Sequence, residues 1–128
     1  MKDSLRKALW ERSRGLCEIC GHHLPTQGWH GSHRRPRGMG GTRRPDTPAN
    51  LMAAHAACHL GRVERFREDA LDRGWLLPSA CEHPEWVPVY LFGVAWVYLT
   101  TDGRYRALDM DAQAEMGRLG WPGLEVGL

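Results

Sequence analysis

Cys17, Cys20, His55 and Cys58 are the residues of this chain best spaced for chemistry. C-E-I-C and H-A-A-C each hold two ligand side chains at an interval that one tight turn can present to a single ion. Three thiolates and one imidazole suit tetrahedral Zn2+, and such an ion would clamp the two ends of a 42-residue stretch. Four protein ligands leave no position for substrate or a reactive water, so this ion is expected to be structural. Cys81 stands apart and needs no role beyond that of a small hydrophobe.

Inside the clamped stretch lie His33, Asn50 and, one residue past the last sulfur ligand, His59. Successive helical residues point about 100° apart. Cys58 can therefore face the knuckle while His59 faces the end of the strand that carries His33. One helix start would then serve two metal sites, one closed and one open. Arg34, Arg35, Arg37, Arg43 and Arg44 follow His33 without an acidic residue between His33 and Arg44. A glycine-rich loop cannot easily bury such charges, but it can offer them to phosphates.

The elements that must position these groups are short. Residues 3–14 predict a helix capped by Asp3 or Ser4, with Leu5, Ala8 and Leu9 inward, Arg6, Lys7, Glu11 and Arg12 toward water, and Gly15 as its stop. A knuckle follows at 17–21, where Gly21 helps the backbone turn. Residues 28–33 predict a strand, and Pro36 ends any regular ladder. Residues 56–73 predict a helix with Phe66, Ala70 and Leu71 inward, weakened at Gly61 and ended by Gly74. Residues 86–99 read as a β-hairpin turning at Phe92–Gly93, and the Asp102–Gly103 turn leads into another strand. The segment beyond Asp109 is ambiguous, with one helical turn or two at most.

The run of C-E-I-C, S-H-R-R-P-R-G-M-G-G, P-A-N-L and H-A-A-C-H, in this order and spacing, resembles the HNH endonuclease family, especially its small zinc-stapled phage forms. The resemblance covers roughly residues 14–75. It implies a small α+β protein with a ββα-metal (His-Me finger) core, a structural zinc knuckle and an additional C-terminal β-hairpin. The domain is expected to span 1–106, with the hairpin at 86–106 and a tail of uncertain structure at 107–128. By the same resemblance His33 is the general base that activates water, Asn50 braces the active loop, and His59 is a ligand of a catalytic divalent ion, Mg2+ or Mn2+. An imidazole suits the base role because its ordinary pKa of about 6.5 leaves neutral base near pH 7. Arg34, Arg35, Arg37, Arg43 and Arg44 are expected to hold DNA phosphates.

Two positions depart from the family pattern. The residue before the base is usually a histidine or aspartate that binds the catalytic ion, and here it is Ser32. A further histidine often stands four residues after the helix ligand, and here that position is Val63. His30 shares the strand face of Ser32 and is the expected replacement, helped inward by a bulge at Gly31. Glu64 is a weaker one. His55 stands where a cysteine is more frequent, a change that keeps ligand chemistry. His22 and His23 read as polar loop residues, and His83 has no evident partner. Of the six tryptophans, Trp10, Trp75, Trp86 and Trp96 read as core, and Trp29 as the one to watch for a substrate contact.

The expected activity is hydrolysis of a DNA phosphodiester, with nicking the natural outcome for one copy of so small a site. Ser32 keeps open a catalytically impaired, zinc-stabilised nucleic-acid-binding module, or a phage packaging accessory protein working with a terminase. The chain has 128 residues, 42% of them apolar, and a net charge of +2. It lacks both a run of about 18 apolar residues and an N-terminal apolar signal core. A cytoplasmic protein without membrane partners is expected, in the host cytoplasm if phage-encoded, and that compartment favours metal over disulfide for the paired cysteines.

Overall fold

The computed structural model describes residues 1–36 and 45–128. The fold is small α+β: an antiparallel strand pair, flanking helices and a C-terminal three-stranded sheet around one core. Helix α1 spans Asp3–Ser13. Its N-cap is Lys2, which gives no side-chain bond, so neither Asp3 nor Ser4 caps it; Arg14 closes it in the left-handed region at φ 55°. Leu9 is fully buried on its inner face. Among the described residues no helix is long and apolar enough to cross a membrane.

Strand β1 (His30–His33) pairs antiparallel with β2 (Leu51–Ala54), His30 opposite Ala54 and His33 opposite Leu51. The register is continuous through Gly31, so the expected bulge is not needed to present His30. A 3-10 turn at Pro48–Asn50 leads into β2, and helix α2 (Ala56–Cys58) leaves it. The predicted single helix over 56–73 is interrupted. Residues His59–Glu64 form a π-helical segment, and α3 (Arg67–Asp72) starts after a break at Phe66, whose φ and ψ are −118° and 68°. The wider π turn and the break rotate the inward face. Ala70 is buried as expected and Val63 is buried with it, whereas Phe66 and Leu71, also expected inward, are 56% and 44% exposed. Gly74 ends the segment as predicted, at φ 75°, with Pro88 O pressed so close that a Cβ there would lie 2.2 Å from it.

The C-terminal sheet is β3 (Val89–Leu91), β4 (Ala95–Leu99) and β5 (Tyr105–Ala107), in that order and antiparallel. Its first turn holds Phe92 at φ 59° beside Gly93 at φ 74°. A phenylalanine accepts that conformation because its ring packs on Tyr105 and Trp121. Residues 107–128 contain more order than the sequence suggests. Asp109 caps helix α4 (Met110–Leu119), accepting a bond from Ala112 N at 2.8 Å, and Gly120 ends it at φ 110°. Met116 is fully buried, and Val126 bridges to Ala107 in parallel.

Arg12, predicted to face water, is buried. Its guanidinium donates to Glu18 at 2.9 and 2.6 Å, to Pro48 O at 2.8 Å and to Leu51 O at 2.8 Å. Glu18 also accepts from Ala53 N at 2.8 Å and from the Tyr105 hydroxyl. Burial works to lower the Arg12 pKa, but Glu18 beside it turns the net shift upward. Tyr105 is pushed well above its ordinary range, chiefly by burial and then by Glu18, so it stays a donor. This network ties α1, the knuckle, β2 and β5 together. Glu18→Gln is expected to destabilise the metal-loaded protein by about 3–5 kcal/mol, because it leaves the Arg12 charge buried without its counter-charge. Denaturant unfolding measures this, and a loss below about 1 kcal/mol would show the network to be dispensable.

Candidate metal centre and histidine cluster

The two knuckles close on each other. Cys17 N donates to His22 O and Gly21 N to Cys17 O, both at 2.8 Å, which folds C-E-I-C into a tight turn. Gly21 has the positive φ the sequence predicts, 82°, and lies against the Phe92 carbonyl. His55 and Cys58 arrive from the end of β2 and from α2. The ligand atoms of Cys17, Cys20, His55 and Cys58 all lie within 4.8 Å of one another. His55 Nδ1 is 3.3 Å from Cys20 Sγ and 3.9 Å from Cys58 Sγ. Tetrahedral Zn2+ spaces its sulfur and nitrogen ligands roughly 3.5–3.8 Å apart, so the cluster has the size of such an ion's shell. His55 Nε2 donates to His23 O at 2.8 Å, which fixes the tautomer with Nδ1 free for metal. Burial, then the neighbouring Cys17 and Cys20, push the Cys58 thiol up to about 12. Deprotonating all three sulfurs together calls for a cation, and the donor set fits one. The cluster is able to chelate a metal ion and is consistent with structural zinc.

A second group of histidines gathers where β1 meets the helix. His30 Nδ1 lies 2.9 Å from His59 Nδ1, with the rings edge to face. The opposite nitrogen of His59, Nε2, lies 3.4 Å from Glu64 Oε1. Glu64 therefore stands behind His59 and not beside His30. The His59 pKa is lowered, first by burial and then by His30, with His33 adding to the effect. A neutral imidazole with its second nitrogen held by a carboxylate is the form in which histidine binds metal. Ser32 is fully buried and its hydroxyl has no hydrogen-bond partner among the described residues.

His33 Nε2 pairs with Asp46 Oδ2 at 3.0 Å. Nothing in the spacing of the sequence marks Asp46. Asn50 is 3% exposed; its side-chain oxygen accepts from Arg35 N at 2.8 Å and its carbonyl from Arg34 N at 2.8 Å. It thus fastens the chain leaving β1 to the turn entering β2.

Two arginines correct the reading of the loop. Arg34 is fully buried and donates to Gly74 O, Ala49 O, Pro84 O and Val87 O at 2.8–3.0 Å. Burial, with the Arg12 charge second, lowers its pKa to about 10, still cationic at neutral pH. Arg35 is 6% exposed and donates to Cys81 O at 3.0 Å. Both guanidiniums are turned inward by backbone carbonyls, so neither is presented to phosphate. Arg37, Arg43 and Arg44 lie outside the described residues. Trp29, expected to face substrate, is buried under the Arg6 guanidinium, while Trp86, expected in the core, is exposed and stacked on His83.

Comparison with protein-family models, with curated proteins and with solved structures gives no match to this chain.

Proposed function

We propose that this protein is a divalent-metal-dependent DNA endonuclease of the HNH type, which nicks one strand by hydrolysing a phosphodiester. The observation that carries the reading is the convergence of His30 and His59, their Nδ1 atoms 2.9 Å apart, at the junction of an antiparallel strand pair and the following helix. The order strand–strand–helix is that of a ββα-metal core, and the Cys/His cluster staples its outer end. His30 takes the duty that Ser32 lacks. His30 and His59 would hold the ion, and Glu64 would keep the His59 ring aimed.

When bound, the ion would polarise the scissile phosphate and stabilise the leaving 3′ oxygen. His33 accepts the proton of the attacking water. Asn50 holds the backbone that carries His33, through its bonds to Arg34 N and Arg35 N. Phosphate contacts from this loop fall to Arg37, Arg43 and Arg44, since Arg34 and Arg35 are committed to carbonyls. Two imidazoles without a directly facing carboxylate favour Mn2+ over Mg2+.

Supercoiled plasmid incubated with the zinc-loaded protein is expected to become open circles with Mn2+, more slowly with Mg2+, and not at all with excess chelator. The Ser32 hydroxyl, buried and without a hydrogen-bond partner among the described residues, favours one rival, a nucleic-acid-binding module without catalysis. DNA binding in a gel shift with no nicking under any divalent ion would establish that rival and end the nuclease proposal.

A further inference from the structure

We infer that Asp46 is a positioning residue for His33, holding the imidazole in the one tautomer that can take a proton from water at Nδ1. This rests on the nuclease reading for its catalytic consequence, but the pairing itself does not.

The geometry is a carboxylate oxygen 3.0 Å from His33 Nε2, with the His33 side chain 31% and the Asp46 side chain 16% exposed. An ionised carboxylate only accepts hydrogen bonds. The proton of the neutral ring therefore sits on Nε2, and the lone pair sits on Nδ1. The half-shielded setting keeps the pair from being dispersed by water, and it leaves the histidine partly open to solvent.

The frame around the pair is braced from both sides. Asp46 precedes the Pro48–Asn50 turn, which closes through Asn50 N to Thr47 O at 3.0 Å. Two buried guanidiniums grip that turn, Arg12 at Pro48 O at 2.8 Å and Arg34 at Ala49 O at 3.0 Å. His33 is held by its place opposite Leu51 in the strand pair. The arginines that do not reach phosphate thus fix the segment that leads to the carboxylate. Such support is what holds a catalytic group within a fraction of an ångström of its working position.

The proton balance closes without a further reactant. His33 Nδ1 takes a proton from water as the oxygen–phosphorus bond forms. The phosphorus–O3′ bond breaks, and the 3′ oxygen takes a proton from solvent. The imidazolium, flanked by the Asp46 carboxylate, then releases its proton to water. Asp46 stays ionised throughout, so it orients the base and offsets its transient charge without itself moving a proton.

The test uses Asp46→Ala, Asp46→Asn and Asp46→Glu in the full zinc-loaded chain. Nitrogen-15 NMR of labelled histidines reads the His33 tautomer directly. The wild type is expected to show Nε2 protonated and Nδ1 bare in the neutral ring, Asp46→Ala a mixture, and Asp46→Glu a return toward the wild-type form. Plasmid nicking with Mn2+ is expected to lose about 10–100-fold in kcat in Asp46→Ala and Asp46→Asn, with KM within about twofold, and to recover in part in Asp46→Glu. An unchanged tautomer in a folded Asp46→Ala, or an unchanged kcat, overturns the inference. Absence of nicking by the wild type overturns the nuclease reading instead, and the tautomer measurement then still decides whether Asp46 governs His33.

Discussion

Removing the ion from the Cys17–Cys20–His55–Cys58 cluster is expected to unfold the protein. The cluster joins a knuckle next to α1 to the end of β2 and the start of α2, which a buried ion-pair network and the core also bring together. Structural zinc contributes apparent free energies of about 10–16 kcal/mol in isolated zinc-finger peptides at neutral pH. Whole domains are stable by only about 5–15 kcal/mol. Even half of the lower figure, about 5 kcal/mol, equals the whole stability of a domain at the low end of that range. Without the ion, burial and then the neighbouring Cys17 and Cys20 push the Cys58 thiol up to about 12. One zinc per chain is expected by elemental analysis. A strong chelator, or Cys20→Ser, is expected to abolish the near-ultraviolet circular dichroism of the buried tryptophans. His55→Cys, which keeps four zinc donors, is expected to keep both the metal and the spectrum. A chelated, metal-free protein with unchanged spectrum and melting temperature would show that the cluster is not what holds the fold.

The parts of this fold that can be read from the chain are the local ones. C-x2-C and H-x2-C declare themselves because both ligands of each pair come from a single turn. Gly74 and Phe92–Gly93 mark chain reversals that local backbone preference alone dictates. His30 and Ser32 lie on one side of a strand because strand residues two apart share a face, and that local rule places His30 near His59. What could not be read depends on partners distant in sequence. Arg12 finds Leu51, Arg34 finds Val87, and Glu18 finds Tyr105, and only the assembled core makes those carbonyls, the carboxylate and the hydroxyl available. Charged residues in a glycine-rich loop are therefore expected at phosphate, and Arg34 and Arg35 turn to backbone carbonyls instead. The helix over 56–73 failed for a different reason. A π segment and a break at Phe66 interrupt the regular period, so periodicity counted across His59 places Ala70 correctly but assigns Phe66 and Leu71 to the wrong side. Asp46 lies thirteen residues from His33, with no spacing rule to connect them.

His33→Ala is expected to lower the nicking rate by about 10²–10⁴-fold while leaving the ion and the fold in place. The histidines divide their contacts. His33 is bonded to Asp46, whereas His30 and His59 face each other, so His33 can be removed without emptying the pair proposed to hold the divalent ion. Its side chain is partly exposed at the end of β1, and truncation there should change unfolding by no more than about 0.5–1 kcal/mol. His59→Ala acts on the other half of the division. It removes one of two imidazole ligands, so its lost activity should return in part as Mn2+ is raised, and Mn2+ binding followed by electron paramagnetic resonance should weaken by on the order of tenfold or more. Added metal does nothing for His33→Ala, because the missing group is the proton acceptor; added imidazole should restore part of its rate. The two variants therefore separate the base from the ion even though their histidines sit close enough for His33 to bias the protonation of His59. If instead imidazole rescued His59→Ala and metal rescued His33→Ala, the roles would be exchanged, and the ion would belong beside Asp46, whose carboxylate would then be a ligand rather than a brace.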